Sequence, residues 1–102
     1  MFYKGMVIHC NNQTEWDELM DLLEAEGYQW PLGCPPSGYR YLYSYGKETQ
    51  YVLIDSDVPK RFFRRGIDNI HSPDVQHFDT PIEYTDLIGG LRKISVTIDD
   101  LI

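Results

Sequence analysis

Residues 3–27, with the sequence YKGMVIHCNNQTEWDELMDLLEAEG, decide the fold because they place a strand directly before an amphipathic helix. Side chains in residues 3–10 alternate with the period of a strand, and both faces of that segment are partly apolar. One face would hold Met6, Ile8 and Cys10, and the other would hold Tyr3, Val7 and His9. We therefore predict a strand at the centre of a sheet.

The helix after this strand is predicted over about residues 14–26. Two N-terminal signatures compete for its start, Asn12 followed by Glu15 and Thr14 followed by Asp17. Gly27 is expected to end the helix, because glycine adopts the left-handed conformation that closes many helices. Large apolar residues recur at the spacing of one buried helix face, with Leu22 widening the stripe: Trp16, Leu19, Met20 and Leu23.

The chain after the helix predicts a short strand, a loop and a hairpin. Residues 28–30 are extended in character, and the segment that follows them is rich in proline and glycine, as loops are. Residues 39–45 alternate tyrosine with other residues and are expected to pair antiparallel with residues 50–55. The register of this hairpin stays open between two alignments that differ by one residue.

The last part of the chain is less regular. Periodicity fades over residues 56–81, which are predicted to form a long irregular loop. Short alternations resume at residues 82–84 and again at residues 94–98. This order of elements predicts a single α+β domain over residues 1–102, in which one main amphipathic helix packs on a largely antiparallel sheet of about four or five strands.

Composition and charge exclude several classes of function. The chain has nine basic and sixteen acidic residues and a formal net charge of −7, whereas a direct nucleic-acid binder normally has a basic excess. The charge is unevenly distributed: residues 1–30 and 67–102 are acidic, and residues 31–66 are basic. No segment approaches the roughly 20 consecutive apolar residues of a membrane span. The two cysteines and the lack of a signal-peptide core indicate a reducing cytoplasm.

Residues able to hold a metal or attack a substrate are present, but their spacing assigns no catalytic residue, metal or cofactor. The histidines and cysteines form no C-x-x-C or H-x-x-x-H pair. They are His9, Cys10, Cys34, His71 and His77. Cys34 with His71 or His77 as a base gives a third functional hypothesis, a small cysteine-dependent enzyme.

The segment Lys60-Arg61-Phe62-Phe63-Arg64-Arg65 interleaves basic and aromatic residues. This pattern is typical of a site that pairs with phosphates and stacks on bases. The alternative hypothesis is therefore a protein that sequesters a nucleotide or another signal molecule, with Arg61, Arg64 and Arg65 as phosphate donors and Phe62 as a stacking surface. A structural interpretation stays open beside it, in which the two phenylalanines anchor a loop to the core.

The order of elements also resembles a known group of proteins. A starting strand, an acidic helix, the segment Gly27-Tyr28-Gln29-Trp30, a tyrosine-rich strand and the closing residues 82–87 are similar to small acidic proteins encoded by bacteriophages. The likeness covers most of the chain but leaves out residues 58–81. Some proteins of this type are anti-defence factors, such as anti-CRISPR inhibitors, so the resemblance implies inhibition of a host defence protein.

The leading hypothesis is a non-enzymatic, phage-type protein that binds and inhibits a host protein with a basic surface, in the cytoplasm of the bacterial host. The helix has six carboxylates and no basic residue among them, and such a row can imitate phosphates. Tyrosine is a favoured anchor of protein interfaces, so the tyrosine-rich strand extends the predicted surface and gives a homodimer as a further hypothesis. The predicted partner-binding residues are Glu15, Glu18, Asp21, Glu24, Tyr41 and Tyr43.

Overall fold

The computed structural model describes residues 1–39, 50–66, 70 and 72–89, and it confirms the predicted α+β class. One main helix packs on a four-stranded, mostly antiparallel sheet. The elements are β1 (Val7–Cys10), α1 (Gln13–Ala25), β2 (Gln50–Asp57), β3 (Lys60–Gly66) and β4 (Ile82–Glu83), with 3-10 turns at Pro36–Tyr39 and Pro73–Val75 and a helical segment at 84–89.

The start of α1 follows the first of the two predicted signatures. Asn12 is the N-cap, and its Oδ1 accepts a hydrogen bond of 2.8 Å from the backbone N–H of Glu15. Such a bond satisfies one of the amide groups that a helix N-terminus leaves without an internal partner. At the other end Gly27 has φ +89°, the left-handed conformation that only glycine adopts without strain, so it ends the helix as predicted.

The strand order of the sheet is β3-β2-β1-β4. β1 pairs antiparallel with β2 and parallel with β4, which places β1 inside the sheet as predicted. β2 has β1 along one edge and β3 along the other, so the ladder predicted between residues 39–45 and β2 is wrong in both registers. Residues 40–49 and the predicted strand at 94–98 lie outside the described residues.

The predicted irregular loop over residues 56–81 is corrected at its start. β2 continues to Asp57, a tight turn follows, and β3 occupies Lys60–Gly66 within that range. Periodicity faded in the sequence because Phe62 and Phe63 point to opposite faces of β3, and each packs in a different cluster. A strand with an aromatic residue on each face shows no apolar–polar alternation. The short strand predicted at residues 28–30 is a single parallel bridge between Gln29 and Arg61.

Two apolar clusters cover the two faces of the sheet. The larger cluster lies between α1 and the sheet and includes the whole predicted helix stripe: Phe2, Met6, Ile8, Cys10, Trp16, Leu19, Met20, Leu23, Tyr28, Trp30, Val52, Ile54, Phe62 and Tyr84. The smaller cluster lies on the opposite face, where Val7, Leu53 and Val75 are buried and Tyr51, Phe63, Ile70 and Phe78 pack against them. The buried stripe fixes which side of α1 faces outward.

Trp16 is expected to contribute more to stability than any other residue of α1. Its side chain is fully buried at 0% exposure, and truncation to alanine would leave a large cavity in the main cluster. Trp16→Ala should lower the free energy of unfolding by about 3–5 kcal/mol in denaturant melts. Leu32, which is 92% exposed, provides the control, because Leu32→Ala should change that free energy by less than about 0.5 kcal/mol. A loss of under about 1 kcal/mol for Trp16→Ala would contradict this assignment.

Candidate functional site

The outward side of α1 presents the predicted acidic residues, and we call Glu15, Glu18, Asp21 and Glu24 the acidic face. Glu18, Asp21 and Glu24 are exposed, and Glu15 is partly exposed. Their orientation follows from packing, because Trp16, Leu19, Met20 and Leu23 are buried on the other side of the helix. The helix stripe therefore predicted correctly which side of α1 faces outward.

Glu15 also has a structural role at the start of α1. Its Oε1 accepts a hydrogen bond of 3.0 Å from the backbone N–H of Asn11, and its Oε2 accepts one of 3.3 Å from the Asn12 side chain. With the bond from its own amide to Asn12, the carboxylate completes a reciprocal cap. A change at Glu15 would consequently disturb the helix as well as the charge of the acidic face.

Neutral hydroxyl groups hold two other carboxylates of the acidic face. Tyr84 Oη donates a hydrogen bond of 2.8 Å to Glu18 Oε2, and Ser37 Oγ donates one of 2.7 Å to Glu24 Oε1. Among the residues that the structure describes, no basic side chain lies within ion-pair distance of Glu15, Glu18 or Glu24. These contacts orient the carboxylates and leave their negative charge in place.

A groove runs along the acidic face between α1 and the helical segment 84–89. Its volume is about 320 Å³, and its lining combines apolar and acidic side chains: Glu18, Asp21, Leu22, Tyr84 and Ile88. Leu22 and Ile88 are partly exposed there. The carboxylates thus border an apolar strip.

The other predicted partner-binding residues, Tyr41 and Tyr43, lie outside the described residues.

The basic segment forms β3, and the structure separates its predicted ligand-binding residues. Phe62 is 0% exposed and packs on Trp30 with ring centroids 4.4 Å apart, so it is a core residue and not a stacking surface. Arg64 and Arg65 line one polar cleft together. Arg61 does not line that cleft. Its Nη1 donates a hydrogen bond of 3.1 Å to the carbonyl of Lys60.

The cysteines and histidines do not form the predicted dyad in the described part of the chain. Cys34 packs against the cluster on the helix side of the sheet. The His77 ring lies at a tilt beside Phe78, which packs against the cluster on the opposite side. His71 lies outside the described residues. Burial raises the pKa of the Cys10 thiol, which therefore stays protonated. In residues 1–39, 50–66, 70 and 72–89, no group of three or more potential ligands is placed to hold a metal.

A polar row that the sequence did not reveal crosses the sheet on the face opposite α1. The strand registers align Glu83 with His9, His9 with Tyr51, and Tyr51 with Arg65. Glu83 Oε1 lies 2.7 Å from His9 Nδ1, and the His9 ring stacks on Tyr51 with centroids 4.6 Å apart. The alternation of His9 with Val7 indicated its face, but nothing in the sequence indicated a partner 74 residues away.

Hydrogen bonds to Glu83 favour its ionised form. Partial burial alone would raise the pKa of Glu83, but the hydrogen bonds from His9 and from Asn11 Nδ2, the latter 2.8 Å long, outweigh burial and lower it. Both carboxylate oxygens are therefore used at neutral pH. This carboxylate joins β4, which is only two residues long, to the end of β1.

No protein-family model, curated protein or solved structure matches this chain at a significant level. Within the described part of the chain, the helices are too short and too polar to span a lipid bilayer. The functional interpretation therefore depends on the surfaces described above.

Glu83→Gln should make stability less dependent on pH in the acid range. Because the folded-state pKa of Glu83 lies below its ordinary value of 4.5, its ionised form stabilises the fold above that value, and the stabilisation is lost as the pH falls through the folded-state pKa. In thermal melts between about pH 3 and pH 7, the melting temperatures of the wild type and of Glu83→Gln should differ most at neutral pH and should converge on acidification.

The matched control for this comparison is Asp86→Asn, which removes one carboxylate from an exposed position in the helical segment 84–89. It measures the general effect of one lost negative charge on an acidic chain. A difference between the wild type and Glu83→Gln that stays constant over the whole pH range would contradict the stabilising role assigned to the Glu83 carboxylate.

Proposed function

We propose that this protein binds another protein by placing the acidic face of α1 on a basic surface. The observation that supports this most strongly is the set of exposed carboxylates on a helix whose other side is fixed in the core. Surface helices usually alternate charge sign, since pairs of opposite charge three or four residues apart stabilise them. In α1 the like charges oppose helix formation, so packing has to offset them.

The spacing of the carboxylates suits a surface that normally binds phosphates. Glu18, Asp21 and Glu24 are three residues apart, so each lies about 4.5 Å further along the helix axis than the one before. Phosphates along one strand of double-stranded DNA rise by about 3.4 Å each. A rigid row of negative charge at a similar spacing attracts a cationic channel and speeds association with it.

The groove beside the acidic face supports the same kind of partner. Lysine and arginine side chains bring a long aliphatic stem together with their charge, and the stem packs on apolar surface while the charged end stays near carboxylates. Leu22 and Ile88 would contact the stem, and Glu18 and Asp21 would contact the charged end. A surface rich in lysine and arginine is thus complementary to both features.

The resemblance to small acidic phage proteins gives the proposal its biological setting. In that setting the partner is a host protein that handles nucleic acid, such as a defence effector, in the bacterial cytoplasm. The acidic face would occupy the cationic channel of that protein and so compete with nucleic acid. The protein itself would not bind nucleic acid, which agrees with its net charge of −7.

Reversal of charge on the acidic face tests the proposal. Asp21→Lys combined with Glu24→Lys should abolish capture of the partner from a bacterial lysate, with captured proteins identified by mass spectrometry, while circular dichroism stays unchanged. Glu15 is left intact because it caps the helix. The matched control is Asp55→Lys combined with Asp57→Lys, which makes the same charge change at exposed positions on β2 and should preserve capture.

When this protein is added, the captured protein should bind its own nucleic acid less tightly. Moderate salt should release the wild-type protein from the captured partner. Capture that survives reversal of the acidic face would contradict the proposal. Capture that both double variants lose equally would show that net charge matters and not the acidic face.

A further inference from the structure

We infer that the polar cleft at the outer edge of β3 binds the phosphoryl group of a small phosphorylated molecule. The cleft has a volume of about 430 Å³ and is lined by Arg64, Arg65, Gly66, Ser72 and Asp74. It is separate from α1 and from the acidic face. The inference is therefore independent of the proposed protein partner.

Arg64 is held in place by a buried side chain. Its Nη1 donates a hydrogen bond of 3.0 Å to Oε1 of Gln50, which is 0% exposed. A guanidinium group has five N–H donors in a rigid planar arrangement, and this bond uses one of them. Within the described residues the remaining donors of Arg64 have no partner, so they can be offered to a ligand without the usual cost of ordering a long side chain.

Arg65 is positioned from three sides. Its Nη2 donates to Asp74 Oδ2 at 2.9 Å, its Nη1 donates to the carbonyl of Arg64 at 3.2 Å, and its guanidinium lies 4.7 Å from the ring centre of Phe63. Among the described lining residues, Asp74 is the one acidic group, and this ion pair neutralises it. The described part of the lining, with two arginines and one aspartate, consequently has a net positive charge.

Ser72 adds a neutral donor on the other wall of the cleft. It is the residue before the 3-10 turn Pro73–Val75, yet its hydroxyl makes no capping hydrogen bond there. Gly66 contributes no side chain to the lining, and among the described residues no atom lies within 4 Å of the position that a Cβ would take there. Guanidinium groups and a hydroxyl around a small polar cleft form the donor set that recognises the oxygens of a phosphate.

The charge of the whole chain limits the ligand to a small one. A polyanion such as DNA would bring many phosphates within reach of a molecule whose net charge is −7. A single phosphoryl group interacts mainly with the cleft, because charges further away than a Debye length of about 8 Å are screened at physiological salt. The ligand class is therefore a small phosphorylated molecule and not a nucleic acid.

Isothermal titration calorimetry of the whole chain tests this inference with inorganic phosphate, pyrophosphate, adenosine monophosphate, sulfate and a short single-stranded DNA. We expect the wild type to bind at least one of the phosphorylated small molecules more tightly than sulfate. Arg64→Gln should weaken that binding by about tenfold or more, because it removes a charge-assisted contact.

Two further variants separate loss of the site from loss of the fold. Ser72→Ala removes a hydroxyl that has no structural bond in the turn, so it should weaken binding several-fold without changing the thermal melt. Arg61→Gln is the matched control, because it removes an arginine from the same strand outside the cleft and should leave binding unchanged.

Several results would overturn the inference. These are the absence of binding to every phosphorylated probe, equal affinity for sulfate, tighter binding of the DNA, or equal losses in Arg61→Gln and Arg64→Gln. None of these results bears on capture of a protein partner by the acidic face, so the two proposals fail separately.

Discussion

Three packed aromatic rings, those of Trp16, Trp30 and Phe62, join α1 to β3 at the edge of the sheet, and we call them the aromatic chain. The orientations of the acidic face and of β3 depend on this packing. The rings of Trp16 and Trp30 lie 6.4 Å apart, and those of Trp30 and Phe62 lie 4.4 Å apart. Trp16 and Phe62 are fully buried, and Trp30 is nearly so. Aromatic residues of this size contribute most of the burial energy of a small core. The contact with Trp30 holds β3 in register beside β2, next to the bridge between Gln29 and Arg61.

The packing of these aromatic rings also determines where the acidic residues of α1 and the basic residues of β3 lie. With Trp16 facing inward, the carboxylates of α1 face solvent, and with Phe62 facing inward, Phe63 and Arg65 lie on the other face of the sheet. Like charges on α1 and a cluster of bases on β3 each oppose folding slightly. The buried aromatic rings offset that repulsion. One small core can therefore support an acidic surface on α1 and a basic segment on β3.

The sequence predicted the parts of the fold that depend on local pattern. The helix stripe, the Asn12 cap and the Gly27 end are signals within a few residues of each other, and all three are present. β3 was missed because Phe62 and Phe63 are each packed on a different side of the sheet. The tyrosine alternation at residues 39–45 was the stronger local signal, and local signals alone do not decide which strand fills the second edge of β2. The same limit applies to the sites. The carboxylates of the acidic face lie on one helix and were predictable, whereas the contacts of His9 with Glu83 and of Arg64 with Gln50 join residues far apart in the chain.

The position of β3 beside β2 depends on the packing of Phe62 on Trp30 in the core. Nuclear Overhauser effects between aromatic ring protons test it most directly in a ¹⁵N,¹³C-labelled sample. We expect strong effects between the rings of Trp30 and Phe62, together with cross-strand effects that pair Val52 with Arg64. If the Phe62 ring shows no effect to Trp30, and β2 instead shows cross-strand effects to residues 39–45, the aromatic chain and the surfaces built on it would be contradicted.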